Sequence, residues 1–193
     1  MCYARDRKVI KLRLMGRPRE FDPDTAIAGA MQIFWRQGYK ATNLPDLLAA
    51  MGLTRGSFYK AYGDKQAVFL EALDHYDREV VSRSVETLED CGGETAVDCL
   101  SPLFATKKDG QMGCFICNAM VELAPSSPEV AAKTEAMAGR LRGAIAGVLE
   151  RFGAREVEET ADLILHLYFG HQAMGRSSAP ERDWPRRLGQ LVG

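Results

Sequence analysis

The chain has 193 residues, 46% of them apolar and 26% charged, enough to bury a real core in one or two domains. Its formal net charge of -1 excludes attraction to a polyanion through overall charge, but the charge is unevenly placed. Residues 1–65 carry 12 Lys and Arg against 6 Asp and Glu, and the remainder carries 13 against 20. A basic head on an acidic body points to a polyanionic partner for the head.

No apolar run approaches the roughly 20 residues of a membrane span. The opening MCYARDRKVIKLRL is too charged for a secretory leader. A cytoplasmic protein without membrane contact is expected. Five cysteines, an odd number, suggest reduced thiols rather than a disulfide framework.

In chain order, residues 1–15 read as a basic flexible arm, and Met15, followed by Gly-Arg-Pro-Arg, reads as an alternative natural start. Phe21-Asp22-Pro23-Asp24 opens a helix: Asp22 caps, Pro23 suits the first turn and Asp24 favours the positive helix end. Ile27, Ala30, Met31 and Phe34 follow at helical spacing until Gly38. Leu44, Leu47, Leu48 and Met51 form a second short helix ended by Gly52, and Thr54 caps a third that carries Phe58 inward. After Gly63, Asp64 caps a fourth helix with Phe69, Leu73, Tyr76 and Val80 on one face, running to about Leu88 before Cys91-Gly92-Gly93.

The second half is also helical. A short segment spans Thr95 to Phe104 and is interrupted by Pro102. Another runs from Ile116 to Leu123 and stops at Pro125. A long one starts at Ser127-Pro128-Glu129 and closes at Gly153. Val157–Met174 and a short Asp183–Leu191 helix complete the chain. No stretch alternates with period two, so the fold class is all-α. An N-terminal three-helix helix-turn-helix occupies residues 16–65, and a C-terminal helical regulatory and dimerisation domain occupies 66–193.

Three short helices with a tight glycine turn before the third describe a helix-turn-helix, whose third helix enters the DNA major groove by its N-terminal end. The residues there suit that task. Gly56 and Ser57 are small enough for close backbone approach. Arg55 can address a guanine edge with two donors, and Thr54 and Ser57 can bond phosphate or base. Tyr59 and Lys60 flank the groove, and Lys65 adds a charge in the first turn of helix four, where free N–H groups suit an anion.

The gapless run GRPREFDPDTAIAGAMQIFWRQGYKATNLPDLLAAMGLTRGSFYKAYGDK, residues 16–65, resembles the DNA-binding domain of the TetR family of transcriptional repressors. The FWRQGYKATN turn, the LLAAMGLTRGSFYKAYGDK run and their spacing carry the resemblance. It implies that Arg17 lies in or near the minor groove, that Thr42 bonds phosphate, that Thr54 to Ser57 face bases and backbone, and that Tyr59 and Lys65 clamp phosphate. Pro45-Asp46 departs from the pattern but falls in a first turn, where proline is tolerated.

The resemblance also implies a homodimeric repressor on an inverted-repeat double-stranded operator, with recognition helices one helical turn, roughly 34–36 Å, or a multiple apart. The last two long helices would form a four-helix bundle with the partner's. Those helices are expected to be Val157–Met174 and Asp183–Leu191, through Leu163, Gly170, Ala173, Trp184 and Leu188. It further implies an inducer cavity in the body. GCFICNA, residues 113–119, resembles a stretch found in one branch of the family. Phe104, Met112, Cys114, Phe115, Cys117, Asn118, Met120, Met137, Tyr168 and Phe169 are candidate lining residues, although apolar side chains at this spacing also build plain core.

Cys114 and Cys117 lie one turn apart near a helix N-terminus, where a thiol pKa can fall. A redox- or electrophile-sensing repressor is therefore the alternative function, against the reading of these cysteines as buried apolar residues. His75, His166 and His171 are too scattered for a metal site, and no cofactor is expected. The chain lacks P-loop, G-x-S-x-G and H-E-x-x-H patterns, and a non-enzymatic protein is expected; a small all-helical enzyme, whose scattered catalytic residues would leave no local motif, is the lesser alternative.

Overall fold

The computed structural model describes residues 21–105, 112–176 and 183–192, and every regular element among them is helical. The expectation for Arg17 and the reading of the arm lie outside these residues.

The N-terminal helices begin where side-chain caps and proline place them. In α1 (Pro23–Gln37), Asp22 accepts from the Thr25 amide at 3.2 Å, and Gly38 ends the helix at φ +86°. α2 (Leu44–Met51) is capped by Asn43, and Gly52 closes it in the left-handed region. α3 (Arg55–Tyr62) is capped by Thr54, and α4 (Lys65–Tyr76) by Asp64. α4 runs on through a π-helical turn, Asp77–Val81, into α5 (Ser82–Glu89). The expected single helix to about Leu88 is thus continuous but carries one wide turn.

A Thr95/Asp98 capping box opens α6 (Ala96–Leu100), and Pro102 converts its end into a 3-10 turn, Ser101–Phe104. α7 (Phe115–Glu122), α8 (Pro128–Arg151, capped by Ser127), α9 (Val157–Gly175) and α10 (Trp184–Val192) follow.

α1 packs on α2 and α4 through Ala26, Ile27, Ala30, Met31 and Phe34. The α1–α2 crossing is close: a Cβ at Gly29 would lie 2.0 Å from the Ala50 carbonyl oxygen. Phe34 stands edge-on to Phe69, and Phe69 and Tyr76 stand edge-on to Phe115 of α7. The buried core therefore runs from head to body without a break.

Two polar tethers reinforce that junction. The Trp35 indole N–H donates to the Gly113 carbonyl at 3.0 Å. Glu122, at the end of α7, accepts from the backbone amides of Tyr39 and Lys40 at 2.8 and 2.6 Å.

The expectation of reduced thiols fails at two positions: Cys91 and Cys99 are joined as a disulfide across the α5–α6 loop. Among the described residues, no helix is long and apolar enough to cross a membrane.

Candidate nucleic-acid interface

α3 presents one face to the core and the other to solvent. Phe58 is fully buried, while Thr54, Arg55, Gly56, Tyr59 and Lys60 are exposed and Ser57 is half-buried. One buried aromatic on a two-turn helix orients the whole exposed face. Phe58 packs edge-on against Tyr59 at 5.3 Å between ring centroids and tilts against Tyr62 at 6.1 Å.

The Thr54 side chain engages Ser57 twice. Its hydroxyl accepts from the Ser57 amide at 3.2 Å and lies 3.0 Å from the Ser57 hydroxyl. These two hydroxyls, Arg55 and the bare backbone of Gly56 share the first turn. Beyond its chain neighbours and its own helix backbone, no atom lies within 4 Å of a Cβ placed on Gly56. The arrangement offers a fork of donors, two hydroxyls and free helix N–H groups on a surface open to a groove.

Lys65 sits behind this surface with its ammonium 4.3 Å from the centre of the Tyr39 ring. Partial burial holds its pKa below the ordinary lysine value, opposed by the nearby Glu122 carboxylate. Burial, Asp64 and Glu122 hold the Tyr39 phenol above its ordinary value. Tyr39 and Glu122 were missed in sequence. No periodicity marks them, because both act at the turn between helices and across 83 residues of chain.

Thr42 does not lie at the surface. It is fully buried, and its hydroxyl donates to the Gly38 carbonyl at 2.6 Å. Its side chain braces the turn into α2 and is withdrawn from phosphate.

The sequence-named pocket residues lie in one region but are packed against each other. Cys114, Phe115, Phe104 and Met137 are buried. The Cys114 sulfur lies 3.9 Å from the Tyr76 hydroxyl, and the Asn118 amide donates to the Met112 carbonyl at 3.0 Å. Tyr168 meets Cys114 with its hydroxyl and Phe104 with its ring edge.

The expected low thiol pKa fails. Burial pushes Cys114 up to about 11 and raises Cys117 as well; for Cys114, desolvation outweighs the hydrogen bonds that oppose it. An open groove of about 480 Å3 lies elsewhere, between α5 and α8, lined by Ser82, Val85, Glu86, Glu89, Arg140, Gly143 and Ala144. Among the described residues, no cluster of three or more His, Cys, Asp or Glu is suited to a metal.

The dimer expectation divides. Leu163 is 46% exposed and Met174 48% exposed on α9, with Gly170 and Ala173 exposed beside them. Leu188 is instead fully buried, and Trp184 stacks on Phe104 at 4.3 Å. α10 turns its apolar face back onto α6 and the 3-10 turn of its own subunit. The two long C-terminal helices are α8 and α9, not α9 and α10.

Comparison with known proteins agrees with this geometry. Residues 26–72 match the model for bacterial regulatory proteins of the tetR family. The HTH-type transcriptional repressor ComR of Escherichia coli (strain K12) is 35% identical over 123 residues, 60% of this chain and 58% of ComR. The chain thus aligns with less than two thirds of that relative. The HTH-type transcriptional regulator YezE of Bacillus subtilis (strain 168) is 33% identical over 134 residues, 67% of this chain and 69% of YezE.

In structure, a cysteine mutant of the TetR-family regulator CifR, complexed with a 26-bp double-strand operator DNA, superposes with a TM-score of 0.76 at 26% identity. It covers 91% of this chain and 98% of CifR. Reduced NemR of E. coli, at 17% identity and a TM-score of 0.74, shares the fold. With its helix-turn-helix head and all-helical body, the chain belongs to the TetR family of bacterial regulatory proteins.

Proposed function

We propose that the protein is a cytoplasmic, dimeric transcriptional repressor that binds a palindromic operator and is released by a small-molecule inducer, with no catalytic role. The observation that carries this reading is α3. Its N-terminal turn exposes Thr54, Arg55 and Gly56 together while Phe58 anchors the opposite face. Arg55 reads a base edge, Thr54 and Ser57 contact phosphate or base, and Tyr59, Lys60 and Lys65 bind the flanking backbone. Arg17 belongs to the same surface by resemblance. The kinship with ComR, a repressor, and with CifR, solved on operator DNA, supports the assignment.

The functional division falls near residue 65, with the head reading DNA and the body sensing. The dimer face is the exposed side of α9, extended by Gly139, Gly143 and Gly147 of α8, whose Cβ positions are all open. An inducer that shifts α7 would move the α1–α2 turn through Glu122 and select a spacing of heads that no longer fits the operator.

The test is a mobility shift with the DNA upstream of the protein's own gene, against random competitor, over a range of salt. A discrete, competitor-resistant complex with a steep salt slope supports the reading. A folded dimer that binds neither this fragment nor any selected palindrome refutes it.

A further inference from the structure

We propose that Cys91 and Cys99 form a thiol–disulfide exchange site, with Cys91 as the sulfur attacked from solvent and Cys99 as the leaving thiolate, stabilised by Arg151. This pair is separate from Cys114 and Cys117, and the proposal does not depend on DNA binding.

The two sulfurs are unequal. Cys91 is half-buried at the loop surface, and Cys99 is buried beneath it at 1% exposure. Each has its own donor. The Gly93 amide donates to the Cys91 sulfur at 3.3 Å, and an Arg151 guanidinium nitrogen donates to the Cys99 sulfur at 3.4 Å. Arg151 is held there by the carbonyls of Glu89 and Leu88, at 3.1 and 3.4 Å, which end α5. The loop is shaped for the bridge: a Cβ at Gly93 would lie 2.7 Å from Asp98 Cβ and within 3.3 Å of both sulfurs.

A thiolate of a small dithiol attacks the accessible Cys91 sulfur. The Cys91–Cys99 bond breaks, its electron pair leaves with Cys99, and the guanidinium beside it stabilises the anion. The second thiol of the reagent then displaces Cys91. The dithiol ends as its cyclic disulfide, two electrons enter the protein pair, and the two dithiol protons pass to the cysteines or to water. Oxidation by a small disulfide runs the same steps backward. A better-stabilised leaving thiolate departs faster, and the cation placed to stabilise it is the Arg151 guanidinium at the Cys99 sulfur.

The bridge joins the end of α5 to α6, which lies under α10 at Val97 and Gly189. Reduction therefore unpins α6 and α10 from α5.

The test uses the full-length chain. It is equilibrated in an oxidised/reduced dithiothreitol series and alkylated, and peptide masses identify each cysteine. The expected result is a reversible Cys91–Cys99 bridge. Its reduction by dithiothreitol is expected to be several-fold slower in Arg151→Gln and close to wild type in Arg151→Lys, with amide exchange in α10 faster once the pair is reduced. Two independently alkylated thiols under every oxidising condition overturn the site. Reduction in Arg151→Gln that is as fast as wild type or faster overturns the role of the arginine; a variant that merely loosens the loop gives the faster result, so the sign separates the two.

Discussion

Gly56→Ala separates recognition from stability. Gly56 is the second residue of α3, its φ is not in the left-handed region, and an added methyl group meets no atom within 4 Å beyond its chain neighbours and its own helix backbone. In the free protein the substitution replaces a poor helix former with the best one at no steric cost, a gain of about 0.5–1 kcal/mol. For a chain of this size that raises Tm by roughly 1–4 °C. On DNA the same methyl group stands between the helix backbone and the groove, beside Arg55 and Ser57. Overpacking of a fitted surface costs about 1–3 kcal/mol, or about five- to 150-fold in operator affinity. Thermal unfolding followed by circular dichroism, and fluorescence anisotropy with labelled operator, read the two effects on one preparation. Opposite signs are expected. A variant that binds operator as tightly as wild type refutes the close approach of α3 and with it the placement of the interface.

Glu122→Ala removes both bonds to the α1–α2 turn. Bonds to a charged acceptor contribute about 1.5–3 kcal/mol each, and because Lys40 is exposed a loss of about 2–3 kcal/mol is expected in urea unfolding, with no loss contradicting the tether. Gly29→Ala drives a methyl group onto the Ala50 carbonyl and is expected to cost about 3 kcal/mol or more; a folded variant of unchanged midpoint would mean that α1 and α2 separate freely. Replacing Cys91 and Cys99 together by Ser opens a loop of sequence separation 8, and the chain-entropy relation gives a loss of about 2–3 kcal/mol, checked by urea midpoints of oxidised wild type against the variant. Cys114 keeps its proton in the folded chain up to about pH 11, against about 9 when unperturbed. Its stabilising contribution is whole below about pH 9 and is lost as pH rises through about 11. The stability gap between wild type and Cys114→Ala is expected to shrink over that interval, and a constant gap would show that Cys114 does not titrate there.

The head was legible because its signals are local. Asp22, Thr54 and Asp64 cap helices through amides three residues away, and Phe58 faces inward because its helix has a single apolar stripe. The errors arise where a side chain's fate depends on distant chain. Thr42 is polar and precedes a helix, yet its hydroxyl folds back to Gly38. An apolar residue at position 188 fits a partner as well as the chain's own α6, and the fold selects α6. Cys114 does stand at a helix start, but its full burial overrides the helix field. The cysteine count gave an odd total, and parity says nothing about which two a loop brings together. Glu122 grips backbone amides, which carry no residue identity to read.

The π-helical turn at Asp77–Val81 acts as a one-residue phase shift. An α-helix advances about 100° per residue, so a wheel drawn straight through residues 65–89 assigns the wrong azimuth to everything after the turn. Deleting one residue there would restore a regular helix and leave local bonding intact. It would also swing Leu88 off the core and carry the Leu88 and Glu89 carbonyls away from Arg151. The extra residue thus works as a keyway: the angular position of the α5 end, Leu88 and Glu89, and with it the seat of the cysteine loop, is set seven to twelve residues upstream.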